Sequence, residues 1–434
     1  MEQQVRTLNT GQTLAAEGFF EFLFSDDKEL IISGPGGVGK TFLMGYMIDQ
    51  ILPRYFDTCK IMDMEPIYHD VVMTATTNKA AEVLGLSTGR PVDTVHSFLN
   101  LKVQDDYETG KTVLSKTNNW MVYHHTILFV DECSMIDRDL RSMILEGTIK
   151  SKIIYVGDHC QMAPIKETLS PIYSSKLPFF ELTEPMRNAG QKALQNLCAQ
   201  FRDTVETGEF YHIQVVPGVV DHLTDEQMQA ELDSVFLNRM TDSRILAYQN
   251  ARVIDYNKYI RQVRNLPPQF QVGEFLINNN AIRLKNVMLK VEDEVMIYDQ
   301  RSGTEMIEIE PDVYLEVAMV TLKTKFDDLI YDVKLPVDHD HYRELLKYYK
   351  RTKNWNRFFH LKNFYPDLRE RDASTVYKAQ GSTFTGTVYI DLTDISKCHN
   401  PNQVARMLYV AVSRATSRVA FYGNLSPKYG SIDC

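Results

Sequence analysis

Short apolar runs that alternate with amphipathic helical stretches dominate the first 180 residues. The run Glu-Leu-Ile-Ile-Ser at 29–33 predicts a buried strand, and residues 40–52 carry apolar side chains at helical spacing. Turn residues and a helical pattern follow each of three further predicted strands, at 71–75, 126–130 and 153–156. Strands that alternate with helices are typical of a parallel sheet covered on both faces. The pattern therefore predicts an α/β domain over residues 1–180.

One stretch inside this domain has a different pattern. Residues 101–115 form two β-prone arms around Glu-Thr-Gly-Lys, which places Gly110 in the turn. We expect a β-hairpin inserted at about residues 100–118.

A second α/β alternation begins near residue 190. The predicted elements are helices at 190–206, 226–238 and 250–263 and a strand at 244–248. The alternation stops at Leu-Pro-Pro (266–268) and resumes from residue 374 with a strand at 387–391, a helix at 402–413 and a strand at 418–422. The β-prone runs over 269–336 predict a small β domain between these halves. The boundaries are thus 181–267 and 372–434 for the second domain and 268–371 for the insertion. The sequence reveals no internal repeat that relates the two α/β domains.

Composition restricts the class of protein. Hydrophobic residues make up 44% of the 434 residues and charged residues 24%, which is ordinary for a soluble globular chain and excludes disorder as the dominant state. Apolar runs stay below the ~18 residues that span a bilayer. The start, Met-Glu-Gln-Gln-Val-Arg, lacks the regions of a signal peptide, so we expect a cytoplasmic protein. The six cysteines include no C-x-x-C pair, so we expect neither zinc nor disulfides.

The charge balance argues against bulk electrostatic binding of nucleic acid. The net charge is −10, from 47 basic and 57 acidic residues, so a nucleic-acid site has to be a local track. Arg343–Arg371 is one candidate, because basic residues alternate there with Tyr348, Trp355 and Phe359. The same pattern also fits a solvated amphipathic helix, and both interpretations stay open.

A glycine-rich loop carries the first chemistry. Gly34-Pro-Gly-Gly-Val-Gly-Lys-Thr41 fits G-x-x-x-x-G-K-[ST] between a predicted strand and a predicted helix, the context of a P-loop. Gly36, Gly37 and Gly39 let backbone N–H groups close around phosphate oxygens. Lys40 is expected at the β/γ-phosphates and the Thr41 hydroxyl at Mg²⁺. The motif predicts ATP and Mg²⁺ as cofactors.

Further polar groups follow buried strands. Asp131 and Glu132 end the predicted strand at 126–130, where Asp131 suits the Mg²⁺ shell and Glu132 suits activation of water, so that the product is ADP. Gln161, after the strand at 153–156, is a candidate sensor of the γ-phosphate. Arg187 and Arg414 are candidate arginine fingers, although the residues alone favour an ordinary surface ion pair for each.

Six motifs, in this order, resemble those of superfamily 1 helicases of the RecD-like branch, most closely the Dda type. They are Gly-Pro-Gly-Gly-Val-Gly-Lys-Thr, Val-Asp-Glu-Cys-Ser-Met, Gly-Asp-His-Cys-Gln-Met-Ala-Pro, Leu-Thr-Glu-Pro-Met-Arg, Tyr-Lys-Ala-Gln-Gly-Ser and Tyr-Val-Ala-Val-Ser-Arg-Ala. The resemblance extends over about residues 8–422 and is weak over 269–370. It implies two RecA-like domains with ATP between them, and Arg187 and Arg414 reaching in from the second domain.

The resemblance also assigns individual residues. Gln12 corresponds to the adenine-binding Q motif, and Gln380 and Gly381 to positions near the γ-phosphate that couple it to DNA. The implied single-strand contacts come from three motifs: Thr76, Thr77 and Asn78; Thr94, Val95, His96 and Ser97; Thr375 and Lys378. Such hydroxyls, amides and a lysine suit phosphate binding without base readout. A structural role for His96 remains an alternative.

This chain departs from the family pattern at two places. Tyr377 stands where histidine is usual, and Thr76 and Asn78 stand where Dda-type proteins carry Pro and His, which leaves base stacking there unsupported. The predicted hairpin matches the position of the branch's wedge or pin, so that Tyr107 would help to split the duplex; a purely structural hairpin is the alternative. The inserted domain matches an SH3-like module in position, with the basic helical segment 343–363 as its extra feature.

Together these features predict an ATP-dependent DNA helicase that translocates 5′-to-3′ on single strands, the polarity resting on the resemblance alone. The expected partners are single-stranded DNA, forked duplexes and single-strand-binding or replication proteins. We expect a monomer, in the host cytoplasm if the protein is of phage origin. Two other functions remain open: an ATP-regulated single-strand-binding or recombination mediator, and a P-loop NTPase acting on protein. RNA stays possible as a substrate, since the gripping residues contact only the backbone.

Overall fold

A parallel sheet of six strands forms the first domain. The computed structural model describes residues 7–108, 112–164, 167, 169–184 and 191–432. In spatial order the strands are Phe179–Glu181, Glu29–Ser33, Lys152–Gly157, Thr126–Asp131, Asp70–Ala75 and Val92–Thr94. The strands predicted from apolar runs all lie in this sheet. The boundary predicted at residue 180 falls inside its edge strand.

Helices cover both faces of this sheet. They are Thr10–Phe24, Lys40–Tyr46, Leu52–Ile61, Asn78–Thr88, Val95–Phe98 and Arg138–Glu146, with a 3-10 turn at Cys133–Met135. Successive side chains of a strand point to opposite faces. Leu30 and Ile32 accordingly pack in one apolar cluster and Ile31 packs in another. The sheet therefore has a core on each side, as the uninterrupted apolar strands predict.

The first predicted helix is longer than expected. We predict an end at residue 52, just before Pro53, but a π-helical turn at Met47–Ile51 joins Lys40–Tyr46 to Leu52–Ile61. Pro53 lies in the first turn of the segment after the π turn. Because the helix continues through the π turn, the missing N–H of Pro53 removes one hydrogen bond to the preceding turn.

The second domain contains a parallel sheet of five strands. In spatial order these are Val220–Leu223, Arg418–Tyr422, Thr387–Asp391, Arg244–Ala247 and Ala373–Thr375. Its helices are Lys192–Thr207, Asp225–Val235, Asn250–Val263, Val376–Ala379, Leu392–Ile395 and Pro401–Ser413, with a 3-10 turn at Pro427–Tyr429.

The two parallel sheets have the same topology. With the edge strand Phe179–Glu181 set aside, numbering the strands of each sheet by chain order gives 1-5-4-2-3 in both. The domains are structural duplicates, a relation that the sequence did not reveal. Two copies of one α/β unit in a single chain confirm the predicted fold class.

An antiparallel sheet of five strands forms the insertion, between helix Asn250–Val263 and strand Ala373–Thr375. In spatial order its strands are Leu329–Pro336, Val313–Thr324, Glu294–Glu310, Phe275–Asn278 and Leu368–Glu370. A separate strand pair is Ile282–Leu284 with Val287–Leu289. Two helices follow the sheet, His339–Arg351 and Trp355–Phe364.

The basic segment 343–363 is therefore two helices rather than one. Lys353 adopts a left-handed φ of 56°, and the Asn354 side chain caps the second helix by accepting from the Arg357 N–H. Tyr349 and Phe359 are fully buried. Much of the aromatic pattern thus reflects packing within the insertion.

The predicted hairpin pairs Leu101–Asp105 with Thr112–Lys116; its expected turn residue, Gly110, lies outside the described residues. A two-stranded pair, Tyr123–His124 and Thr148–Ile149, completes the strands. Among the described residues, five cysteines are free. The described helices all fall short of the length and apolarity that crossing a membrane requires.

The second domain contains a buried ion pair next to the insertion, between Arg264 and Asp372. Arg264 donates to both carboxylate oxygens of Asp372 at 2.6 and 2.8 Å and to the Phe236 carbonyl at 2.7 Å. Arg264→Ala should lower the free energy of unfolding by about 3–5 kcal/mol, because it leaves a buried carboxylate unpaired. Urea denaturation measures this. The control Arg301→Ala, at an exposed pair with Asp332, should cost under about 1 kcal/mol; equal losses would contradict the prediction.

Candidate nucleotide site and nucleic-acid interface

The glycine-rich loop leaves the carboxyl end of strand Glu29–Ser33 and leads into helix Lys40–Tyr46. Gly37 and Gly39 have φ of 84° and 81°, a left-handed conformation that favours glycine. The Lys40 ammonium donates to the carbonyls of Gly34 and Pro35 at 2.6 and 3.0 Å. Lys40 is thereby folded back over its own loop, where a phosphate group could replace these carbonyl contacts.

Gln12 braces this loop from the N-terminal helix. The fully buried side chain donates from Nε2 to the Val38 carbonyl at 3.0 Å and accepts from the Asn9 N–H at 3.2 Å. Asn9 in turn accepts from the Gln12 N–H at 2.8 Å, which makes the pair a capping box. The spacing Asn-x-x-Gln was a signal for this cap that our sequence analysis missed.

The two acidic residues at the end of strand Thr126–Asp131 differ in environment. Burial and, to a smaller extent, the Glu132 charge raise the pKa of Asp131 to about 7, although Lys40 opposes both. The Asp131 carboxylate accepts from the Glu132 N–H at 2.9 Å. Glu132 has a left-handed φ of 54°, a conformation that costs a non-glycine residue energy and is concentrated at functional sites.

This donor set fits a magnesium–nucleotide complex. Mg²⁺ prefers oxygen ligands, usually one or two carboxylates together with phosphates, and Thr41 and Asp131 supply a hydroxyl and a carboxylate beside the P-loop. A buried carboxyl group with a raised pKa is also one whose ionised form a cation would stabilise.

Gln380 reaches this site from the second domain. Its Nε2 group lies 3.1 Å from Gln161 Oε1, 3.3 Å from Ser134 Oγ and 3.4 Å from Glu132 Oε2. The next residue, Gly381, has a φ of 79°. The structure therefore brings Gln380, Gln161 and Glu132 together across the cleft, while Ser134 joins them without having been predicted.

A buried junction fixes the loop around Gln161 to the second domain. Asp158, which is fully buried, accepts from the Arg202 guanidinium at 2.6 Å and from the Tyr409 hydroxyl at 2.5 Å. Arg406 donates to the carbonyls of His159, at 2.5 Å, and Gln161. Arg406 is the single charged residue in helix Pro401–Ser413 and lies among apolar side chains, which was the available signal, because a buried cation requires acceptors.

The two candidate arginine fingers have different outcomes. Arg187 lies outside the described residues. Arg414 is buried and donates to the carbonyls of Val410 and Ser382 at 3.2 and 3.1 Å and to Ser413 Oγ at 2.9 Å. In the described part of the chain, the hydrogen bonds of Arg414 thus stay within the second domain.

The predicted single-strand contacts lie at two matching corners. Strand Val92–Thr94 turns into helix Val95–Phe98, and strand Ala373–Thr375 turns into helix Val376–Ala379; each is an edge strand of its sheet. The threonine hydroxyl caps the short helix in both, since Thr94 accepts from the Ser97 N–H at 3.1 Å and Thr375 from the Lys378 N–H at 3.4 Å. Thr-Val occurs at both corners, at 94–95 and 375–376, but a shared dipeptide is too short to reveal the duplication from the sequence.

The other predicted contacts have structural partners too. Thr76 donates to the Glu132 carbonyl at 3.0 Å, and Thr77 caps the helix that begins at Asn78. Burial lowers the pKa of His96, with Asp137 acting in the opposite direction, which favours an uncharged ring. Ser97 is exposed beside it.

The insertion contacts both domains near these corners. The Lys378 ammonium hydrogen-bonds Asn279 and lies 3.1 Å from the Glu292 carboxylate. On the first domain, Glu82 pairs with Lys325 of the insertion.

The hairpin is braced by the insertion as well. The Tyr107 ring packs against Phe359 with 4.8 Å between centroids. On the same helix, Asn363 donates to the Asp105 carboxylate at 3.2 Å and Lys362 lies 3.5 Å from it. The hairpin is therefore held against the helix Trp355–Phe364 on one side.

Comparisons with known proteins agree with this architecture. The family model for an AAA domain matches residues 7–214, and that for a UvrD-like helicase C-terminal domain matches residues 372–422. The ATP-dependent DNA helicase Dda of Enterobacteria phage T4 is 25% identical over 94% of this chain and 97% of its own length. The RecD subunit of the RecBCD enzyme of Buchnera aphidicola is 37% identical over 79 residues, 18% of this chain and 12% of that one.

A solved structure supports the fold. The Pif1 helicase of Candida albicans aligns with a TM-score of 0.50 and 16% identity, covering 98% of this chain and 97% of that one. The fold and site thus define an ATP-hydrolysing enzyme with two RecA-like domains. The two family models, Dda and RecD together support a superfamily 1 helicase with a relationship to Dda and RecD, the family that the sequence motifs predict.

Proposed function

We propose that this helicase hydrolyses ATP to translocate 5′-to-3′ on single-stranded DNA and to separate a duplex ahead of it. One observation carries the proposal: Gln380, at the nucleotide cleft, follows the corner Thr375–Lys378 by only two residues. A change at the γ-phosphate that moved Gln380 would therefore move the corner as well. The similarity to Dda supports DNA as the substrate, and the polarity rests on family resemblance.

The first domain would supply the residues that hold the phosphates, Mg²⁺ and the attacking water. Lys40 and the loop containing Gly36, Gly37 and Gly39 would hold the phosphates, and Thr41 and Asp131 would hold Mg²⁺. When bound, Mg²⁺ neutralises charge on the phosphates. Glu132 would orient and deprotonate the attacking water.

The coupling residues belong to the second domain or face it. Gln161, Gln380 and Gly381 would sense the γ-phosphate. Arg187 and Arg414 would stabilise the charge of the transferring group, which for Arg414 requires release of its present hydrogen bonds. Gln12 would contact adenine from its position beside Val38.

The matching corners suit two alternating grips on one strand. Thr375 and Lys378 occupy the places in the second domain that Thr94 and Ser97 occupy in the first, with His96 beside Ser97. Thr76, Thr77 and Asn78 follow the neighbouring strand Asp70–Ala75 at the same end of the first sheet. Helix N-termini attract phosphate groups. As the cleft closes and opens, one grip would hold while the other advances.

The first test is steady-state ATP hydrolysis with and without single-stranded DNA. Lys40→Ala should lower turnover ~10²-fold or more, because it removes the fixed cation at the phosphates. The exposed Lys60→Ala variant serves as the control. Near-normal turnover in folded Lys40→Ala protein would refute the P-loop assignment, and turnover in the wild type that ignores DNA would favour an NTPase acting on protein.

Glu132→Gln should bind ATP with nearly unchanged affinity yet fail to hydrolyse it. The amide keeps the size of the carboxylate but cannot accept a proton from water. Nucleotide binding by calorimetry and turnover on the same sample separate the two effects. Normal hydrolysis would mean that Glu132 is not the base.

Unwinding of forked duplexes with 5′ or 3′ tails tests polarity and the hairpin together. Tyr107→Ala removes the aromatic contact with Phe359, worth about 1 kcal/mol, and should slow unwinding about fivefold while DNA-stimulated ATP turnover persists. Val113→Ala, at an exposed apolar residue on the same hairpin, is the matched control. Equal unwinding by both variants would contradict a wedge, and a wild type that binds single strands without unwinding would favour the mediator function.

A further inference from the structure

His159 joins three parts of the molecule through one side chain. Its Nδ1 atom lies 3.0 Å from Ser33 Oγ, and its Nε2 atom lies 3.3 Å from the Glu206 carboxylate. Its backbone N–H also donates to Ser33 Oγ at 3.4 Å. Since that hydroxyl accepts from the backbone, its own proton suits Nδ1, which leaves Nε2–H to donate to Glu206.

The Ser33 contact leads directly to the phosphate loop. Ser33 is fully buried, and the next residue, Gly34, begins the loop. The Gly34 N–H donates to the Gly157 carbonyl at 3.0 Å, and the Gly34 carbonyl accepts from Lys40 at 2.6 Å. A shift of Ser33 would therefore reach the residue that positions the Lys40 ammonium.

The Glu206 contact leads to the second domain. Glu206 lies on helix Lys192–Thr207, whose apolar side chains Leu197 and Phe201 pack in the second domain's core. Its carboxylate lies 3.3 Å from Arg202 Nε and accepts from the Cys160 thiol at 3.5 Å. The carboxylate is thus held in place by Arg202 on its own helix and by Cys160 of the first domain, and it is available as a fixed acceptor for His159.

Other polar groups around His159 already have partners. Arg202 donates to Asp158 and to Glu181, the latter at 2.9 Å, and Arg406 donates to the His159 carbonyl. The Tyr173 ring lies against the imidazole with 5.8 Å between centroids. The Arg202 guanidinium lies between Glu181 and Glu206 and pairs with both carboxylates. We therefore interpret this cluster as a set of contacts between the two domains rather than as a metal site.

We propose that His159 is a positioning residue that transmits the placement of helix Lys192–Thr207 to the phosphate loop through Glu206 and Ser33. The proposal rests on the proposed function, since it describes how closure of the cleft would tighten the loop on ATP. His159 need not touch the nucleotide. Its effect requires both of its side-chain contacts at once.

A double-mutant cycle tests this linkage without DNA. The measured quantity is the Kd of a non-hydrolysable Mg²⁺–ATP analogue, by calorimetry, for Ser33→Ala, Glu206→Gln and the double variant. We expect each single change to weaken binding about threefold and the double variant to be no weaker than the weaker single variant. In a His159→Ala background, neither change should have an additional effect. Effects that multiply, or an effect of Glu206→Gln that persists without His159, would overturn the proposal.

Two conservative variants separate the side-chain contacts. The amide of His159→Asn mimics Nδ1 but does not reach Glu206, whereas the amide of His159→Gln mimics Nε2 but does not reach Ser33. Both should raise the KM for ATP about threefold with little change in Tm, and His360→Asn, at an exposed histidine, should change neither quantity. Near-normal KM values in both variants would mean that His159 only fills space.

A measurement with DNA distinguishes the linkage through His159 from the proposed DNA-motor function. Stimulation of ATP turnover by single-stranded DNA is measured on the wild type and on both conservative variants. Coupling between Ser33 and Glu206, together with wild-type ATP turnover that DNA does not stimulate, would support the linkage through His159 and reject the DNA motor. Stimulated turnover without such coupling would support the DNA motor and reject the linkage.

Discussion

The buried ion pair between Asp158 and Arg202 is the constraint on which the arrangement of the two domains depends. Asp158 directly follows strand Lys152–Gly157 of the first sheet, yet its partners Arg202 and Tyr409 belong to the second domain. Cys160 and Met162, which follow it, pack in the second domain's apolar core. Removing a charged partner from such a site costs about 3–5 kcal/mol. The first domain is therefore fastened to its duplicate at the loop that also carries Gln161.

Because of this ion pair, the nucleotide cleft has walls from both domains. The phosphate loop and the strained Glu132 lie on one wall, and Gln380 extends from the other. Gln380 follows, by two residues, the corner Thr375–Lys378 that matches Thr94–Ser97 in the first domain. Because duplicated sheets place equivalent corners at equivalent edges, one strand of nucleic acid could contact both, and a rearrangement at the nucleotide would change the distance between them.

Local patterns predicted regular elements well and their joints poorly. The apolar runs at 126–130 and 387–391 are strands because buried parallel strands need apolar side chains on both faces. The helix predicted at 40–52 continues to residue 61. The prediction was too short because the π turn before Pro53 leaves no signal in the spacing of apolar residues. The Asn9–Gln12 capping box was overlooked although its spacing was visible. The break between the two helices of the basic segment 343–363 was not predicted, because the left-handed Lys353 carries no apolar signal.

The sequence by itself determined the P-loop, the acidic strand end and the helicase family, because these depend on residue types at fixed short spacings. Only the tertiary structure decided that both domains share one topology, that Gln380 lies 3.1 Å from Gln161, and that Arg406 and His159 join the domains. Those contacts join residues more than forty positions apart. Burial in a folded core selects such partners, and no periodicity along the chain records that selection.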